Sequence, residues 1–165
     1  MVELYAQQAR DVEQLHEILV ECGFAMQRQF DLHHWVPAYP LDLFRQQAER
    51  GQIYEVVSGA SIVATFTLRF DEPLPYYEGI DWDAAGEPAL YLSRLAVRPD
   101  SWGNGIGSWC VEWIERKARE LEARSVRFDA YSRHAPLLSY YRKRGYRECG
   151  RCLDPEIICF EKTWG

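Results

Sequence analysis

A hydrophobic pattern that switches between helical and strand periodicity predicts a mixed fold of the α/β or α+β class, built on a mixed sheet. Three observations carry this. Apolar side chains recur at helical spacing at Val12, Leu15, Ile18, Leu19 and Cys22, and again at Ile106, Cys110, Trp113, Ile114 and Leu121. Short β-rich runs at 53–57, 62–70, 90–97 and 125–131 are interleaved with these segments. The 165 residues are 47% hydrophobic, which suits one domain over 1–165 with a buried core rather than a disordered chain.

Taken in order, residues 2–5 read as a short strand. Asp11 can cap the first helix, which Gly23 could end, and residues 27–40 read as loop. A second short helix over 41–50 is closed by Gly51. The runs 53–57 and 62–70 flank Ser58-Gly59-Ala60-Ser61 and form a hairpin. Residues 71–89 mix acidic, proline, glycine and aromatic residues and read as a long loop. A strand over 90–97 is stopped by Pro99. Helices follow at 103–123 and 135–144, the second with Pro136 in its first turn and Gly145 beyond its end. The strand at 125–131 lies between them, and 146–152 with 157–164 make a final pair.

The formal net charge of −6 argues against a nucleic-acid partner, since nonspecific binding of a polyanion needs a basic surface. Arg142, Lys143 and Arg144 form a basic cluster that reads as the solvated end of a helix. The longest apolar runs are too short to span a bilayer, so no membrane association is expected. The N-terminal segment lacks the basic-then-apolar signal pattern, so the expected location is the cytoplasm. Five cysteines, an odd number, fit reduced thiols. Cys149 and Cys152 have CxxC spacing, but neither a second ligand pair nor a following helix accompanies them, and no metal is expected.

Chemistry concentrates where the strand at 90–97 runs through Arg98-Pro99-Asp100-Ser101-Trp102 into Gly103-Asn104-Gly105-Ile106-Gly107-Ser108 and a helix begins. Amides at a helix N-terminus can hold phosphate, and glycines let the backbone come close; a tight turn would use the same residues. The string is not a P-loop. It departs from the dinucleotide fingerprint at Ser108, although Asp129 lies about 20 residues on, where a ribose-binding acid would stand. A dinucleotide-dependent oxidoreductase therefore stays open as a second reading.

The segments LYLSRLAVRPDSWGNGIGSW, VRFDAYS and HAPLLSYYRKRGY resemble the GNAT superfamily of N-acetyltransferases. The likeness is dense over 90–146, where two motifs stand in order at the right separation. It departs from the family pattern at Trp102, where Arg or Gln is usual, at His134 for Asn, and at Leu137 for Ala. Ser93 and Arg94 occupy positions where many relatives carry a carboxylate base. The resemblance implies a mostly antiparallel central sheet flanked by about four helices, and acetyl-CoA as co-substrate. Leu95, Ala96 and Val97 would receive the pantetheine arm, and a bulge or splay in that strand would turn an N–H towards the thioester carbonyl. Residues Gly103, Asn104, Gly105, Ile106, Gly107 and Ser108 would hold the pyrophosphate. Trp102 cannot supply the charge of an arginine, so the backbone is expected to carry that contact and the indole to be dispensable.

The resemblance also makes Tyr141 the acid that protonates the departing thiolate. With a thiol pKa near ~8.5 against ~10 for tyrosine, such an acid would help mainly by being fixed in place; the alternative for Tyr141 is an aromatic at the core edge. His134 either touches the cofactor or caps its helix. An acceptor amine with pKa near ~10 is neutral in only about one molecule in a thousand at pH 7, so a base or water chain is expected. Asp81, Asp83, Glu87 and Tyr91 are the candidates for that role, and Asp81, Trp82, Asp83, Tyr91 and Arg94 are candidates for binding the acceptor; the acidic ones would look the same in a solvated loop. Arg69 and Arg94 could instead hold an acceptor carboxylate. The implied activity is acetyl transfer to the amine of a small or peptide acceptor. A catalytically silent acyl-CoA-binding module is the alternative, and homodimers are common in the family.

Overall fold

A computed structural model describes residues 3–153 and 156–164. Strand β1 is Leu4–Gln8, helix α1 Val12–Phe30 and helix α2 Leu41–Glu49. Strands β2 (Ile53–Ser58) and β3 (Ser61–Phe70) form the hairpin, followed by β4 (Ala89–Val97) and helix α3 (Ile106–Glu120). The chain ends with β5 (Ser125–Tyr131), α4 (Ala135–Lys143), β6 (Arg147–Cys152) and β7 (Ile157–Thr163). The neighbour order of the strands is β1-β2-β3-β4-β5-β7-β6. Strand β4 runs parallel to β5, whereas β1–β2, β2–β3, β5–β7 and β6–β7 are antiparallel. This is the expected mixed, mostly antiparallel sheet with four helices. A dinucleotide-binding doubly wound fold would instead be mostly parallel.

Two compact units are present: one holds residues up to Leu68 with Arg94–Glu112, the other Arg69–Ser93 with Trp113 onward. In the first, Leu15, Ile18, Leu19 and Cys22 of α1 bury one helical face against Phe44, Ile53 and Ala96. In the second, Tyr77, Ala89, Tyr91 and Cys159 form a core cluster with Trp82 and Ile80 packed on it.

Several boundaries differ from expectation for physical reasons. The first strand lies at Leu4–Gln8 rather than 2–5, and Val2 is outside the described residues. Gly23 does not end α1. The helix runs on to Phe30 and stops at Asp31, whose left-handed φ of 56° lets its own N–H return to the Gln27 carbonyl and the N–H of Leu32 to the Met26 carbonyl. Gly23 serves packing instead, because a Cβ there would sit 2.6 Å from the carbonyl oxygen of Trp35. Helix α3 starts at Ile106, so Gly103 and Gly105 precede it rather than opening it. The 71–89 segment contains two single turns of 3-10 helix, Pro75–Tyr77 and Ala84–Gly86.

Candidate functional site

Where β4 enters the first unit, Arg94 has a left-handed φ of 50°. A left-handed residue interrupts a strand and re-aims the side chains around it, a distortion that clusters at functional sites. The pairing of β4 with β5 covers Ala89–Tyr91 with Ser125–Arg127, short of this kink. Downstream, Val97 leads through a 3-10 turn at Pro99–Ser101 to Trp102. The Trp102 indole N–H donates to the Val97 carbonyl at 2.7 Å, and its ring stacks on Phe30 with centroids 6.2 Å apart. Cys22 donates its S–H to the same carbonyl at 3.0 Å. Burial, with Glu21 nearby, pushes that thiol up to about 12, so it stays protonated as a donor. The Val97 carbonyl thus accepts two hydrogen bonds.

Gly103 and Gly105 have φ 83° and 77°, and a Cβ on either would meet nothing within 4 Å. The turn therefore leaves open space where side chains would stand just before α3, and Asn104 Nδ2 donates to the Ser101 carbonyl to brace it. Backbone amides at a helix start are a donor set that suits a diphosphate. The indole of Trp102 has a role that composition alone does not reveal: it ties the glycine turn to the strand.

The same unit contains a cavity of about 360 Å³ whose wall includes Leu19, His34, Trp35, Pro37, Tyr39 and Arg94. The linker between α1 and α2 is held down to form it. His16 Nε2 lies 2.6 Å from the Tyr39 carbonyl, and Trp35 packs on the core cluster of α1. The Arg94 guanidinium lies 3.9 Å from the centre of the Tyr39 ring; one of its terminal nitrogens donates to Gln47 Oε1 and, at 3.3 Å, to Thr67 Oγ1. This cavity is missing from the sequence reading, which treats 27–40 as loop; the signal was the proline- and aromatic-rich run His33-His34-Trp35…Tyr39-Pro40.

In the second unit, Tyr141 is 5% exposed and its ring packs against Phe128, Tyr140, Tyr146 and Phe160. His134 stands at the N-cap of α4 without a side-chain capping bond, and burial lowers its pKa. The acidic segment is knitted down by one buried cation. Arg127 Nε donates to Glu161 at 2.6 Å, its Nη1 donates to the Tyr91 hydroxyl at 3.0 Å, and its Nη2 donates to the Asp83 carbonyl at 2.8 Å. Its guanidinium also lies 5.0 Å from the Trp82 ring centre and 3.6 Å from Glu87. The Asp83 carboxylate caps Ala85 N, the Asp81 carbonyl accepts from Arg147, and Arg69 bonds the Pro73 carbonyl. The Asp83 and Glu87 carboxylates thus have partners within the chain, whereas Asp81 is held through its backbone. Asp129, the would-be ribose acid, accepts from the Tyr77 hydroxyl at 2.6 Å.

All five cysteines are free; Cys152 Sγ lies 3.7 Å from Cys159, its neighbour on β7, rather than pairing with Cys149. Among the described residues no group of His, Cys, Asp and Glu is placed to hold a metal ion, and no helix is long and apolar enough to cross a membrane.

Residues 12–146 match the model of the acetyltransferase (GNAT) family. The S-(2-succino)cysteine N-acetyltransferase of Bacillus subtilis (strain 168) is 27% identical over 146 residues, covering 86% of this chain and 81% of that protein. The uncharacterized N-acetyltransferase YesJ of the same organism is 28% identical over 102 residues, 62% of this chain and 56% of its own length. Among solved structures, a GNAT family acetyltransferase from Listeria monocytogenes 4b F2365 superposes with a TM-score of 0.83 at 16% identity, covering 99% of this chain and 96% of that one. The PaiA N-acetyltransferase of Thermoplasma acidophilum, solved in complex with coenzyme A, gives 0.61 at 12% identity, with 98% and 99% covered. At these identities the structures establish a shared fold.

Proposed function

Because the chain belongs to the GNAT acetyltransferase family, and is thereby an acetyl-CoA-dependent acyltransferase, we propose that it acetylates the primary amine of a small amino-acid-like or peptide acceptor by direct attack in a ternary complex. The observation that carries this reading is the kinked β4 running through the Trp102 tie into an open glycine turn at the start of α3. Acetyl-CoA supplies the activated acetyl group. Backbone groups of Leu95 and Val97, on either side of Ala96, orient the pantetheine arm, and the amides from Gly103 to Ser108 hold the diphosphate. Trp102 fixes the turn in which those amides lie. Tyr141 holds a proton for the departing sulfur, its ring locked by the aromatic cluster around it. The relative named for S-(2-succino)cysteine acts, by that name, on an amino-acid derivative, which supports an amino-acid-like acceptor here. The reading includes a cytoplasmic enzyme, with a homodimer as its assembly.

The test is an amine panel with acetyl-CoA, reading free thiol and acetylated product. Coenzyme A binding without turnover of any amine would make the chain a silent binding module, and binding of a nicotinamide cofactor instead would favour the oxidoreductase.

A further inference from the structure

We infer that the cavity walled by the α1–α2 linker is the acceptor pocket and that Arg94 anchors a carboxylate of the acceptor, so that the enzyme takes amines that also carry a carboxylate. This rests on the reading of the chain as an amine acetyltransferase. Arg94 immediately precedes Leu95–Val97, the stretch assigned to the pantetheine arm, so the cavity wall and that stretch are continuous along one strand. At about 360 Å³ the cavity lies near the lower end of small-ligand sites, the size for an amino-acid-like molecule rather than a folded surface.

Its charge decides the class of ligand. Arg94 is the cationic wall, and none of the described residues lining the cavity is acidic. A simple cationic amine would meet no counter-charge there, whereas a carboxylate would meet a guanidinium, whose planar fork suits it. The guanidinium is also pre-positioned. Tyr39 supports its face, Gln47 of α2 and Thr67 of β3 hold it from the side, and the left-handed backbone at Arg94 sets its direction. A side chain already fixed in place loses less conformational freedom when a ligand binds. Trp35, Pro37 and Leu19 leave an apolar wall for the body of the acceptor.

Three acceptors separate the possibilities: L-methionine, with an α-carboxylate; L-methioninamide, with none; and L-isoglutamine, an α-amide with a side-chain carboxylate. The wild-type protein should prefer at least one carboxylate-bearing compound over methioninamide by tenfold or more in kcat/KM. Whichever of the two is preferred identifies the carboxylate that Arg94 holds. Arg94→Gln should bring that ratio near one, and Arg94→Lys should keep part of it. Gln47→Ala, which only loosens the guanidinium, should lower the ratio without abolishing it. Retained coenzyme A affinity and thermal midpoint show that each variant is folded.

If amines turn over but methioninamide is used as well as both acids, or Arg94→Gln keeps the preference, the inference is overturned while the acetyltransferase reading stands. If no amine turns over, that reading fails, and calorimetry of the three compounds with the coenzyme-A-loaded protein decides the pocket: weaker binding of methioninamide than of either acid supports it, and equal binding overturns it.

Discussion

The indole N–H of Trp102 donates to the carbonyl of Val97 at 2.7 Å, joining the end of β4 to the turn that carries Gly103 and Gly105. An arginine at position 102 would bring a charge but lose this bond and the stack on Phe30. A hydrogen bond and an aromatic contact each contribute about 1 kcal/mol net, and 1.4 kcal/mol is about tenfold in affinity. Trp102→Arg should therefore weaken coenzyme A binding by up to roughly thirtyfold, measured by calorimetry. An unchanged or tighter Kd would return the indole to the dispensable role that the sequence alone suggests.

Gly105 has φ 77° and open space where a Cβ would stand. A branched residue strains that backbone and fills the space in front of the amides. Gly105→Val should lower coenzyme A affinity at least tenfold, and the backbone strain should lower the thermal midpoint by a few degrees. Calorimetry showing wild-type affinity would remove the turn from the cofactor site.

Tyr141→Phe keeps the ring contacts with Phe128 and Tyr146 but removes the hydroxyl. As an acid acting in the transition state it should account for roughly 10²–10⁴ in kcat with nearly unchanged coenzyme A affinity. Turnover at the wild-type rate would leave Tyr141 as a core aromatic.

Gly23→Ala puts a Cβ 2.6 Å from the Trp35 carbonyl oxygen, so the linker that walls the cavity must shift. Overpacking of this kind costs about 1–3 kcal/mol, roughly 5 °C in a chain of this size. Calorimetric melting should show that drop, and the amine KM should rise while the acetyl-CoA KM holds. A variant as stable as wild type would mean that the linker is not seated on α1.

Glu115 is buried beneath Arg144, Lys162 and Tyr146. Burial opposes its charge, but hydrogen bonds from Arg144, Lys162 and Tyr146 outweigh it and hold its pKa below the usual 4.5. A carboxylate with a lowered folded pKa contributes stability above its unfolded pKa, and that contribution is lost as pH falls through the folded value. Glu115→Gln should be less stable at pH 7, by roughly 3 kcal/mol as for a broken buried pair, and should lose less of its stability between about pH 5 and pH 3. Denaturant midpoints with the same acid dependence as wild type would contradict this.

Element order and type are legible in the sequence because helical and alternating patterns are local. The glycine turn is legible for the same reason, since Gly103 and Gly105 stand between a strand pattern and a helix pattern. Three features are not. Gly23 looks like a helix end, but tertiary contact with Trp35 decides its role. The kink at Arg94 lies inside an apolar β-rich run that says nothing of a positive φ. Arg127, in an alternating strand, is fully buried because Glu161, Tyr91 and the Asp83 carbonyl converge on it from distant segments. Such convergence also gives several groups of the acidic 71–89 segment internal partners that its charge alone does not foretell.

The most direct measurement is the stoichiometry of a single reaction: acetyl-CoA with an amine that turns over, following free thiol and N-acetylated product together. The account predicts equal amounts of the two, with product formation abolished when the amine is omitted. Thiol release that proceeds without an amine, or without an acetylated product, would contradict it.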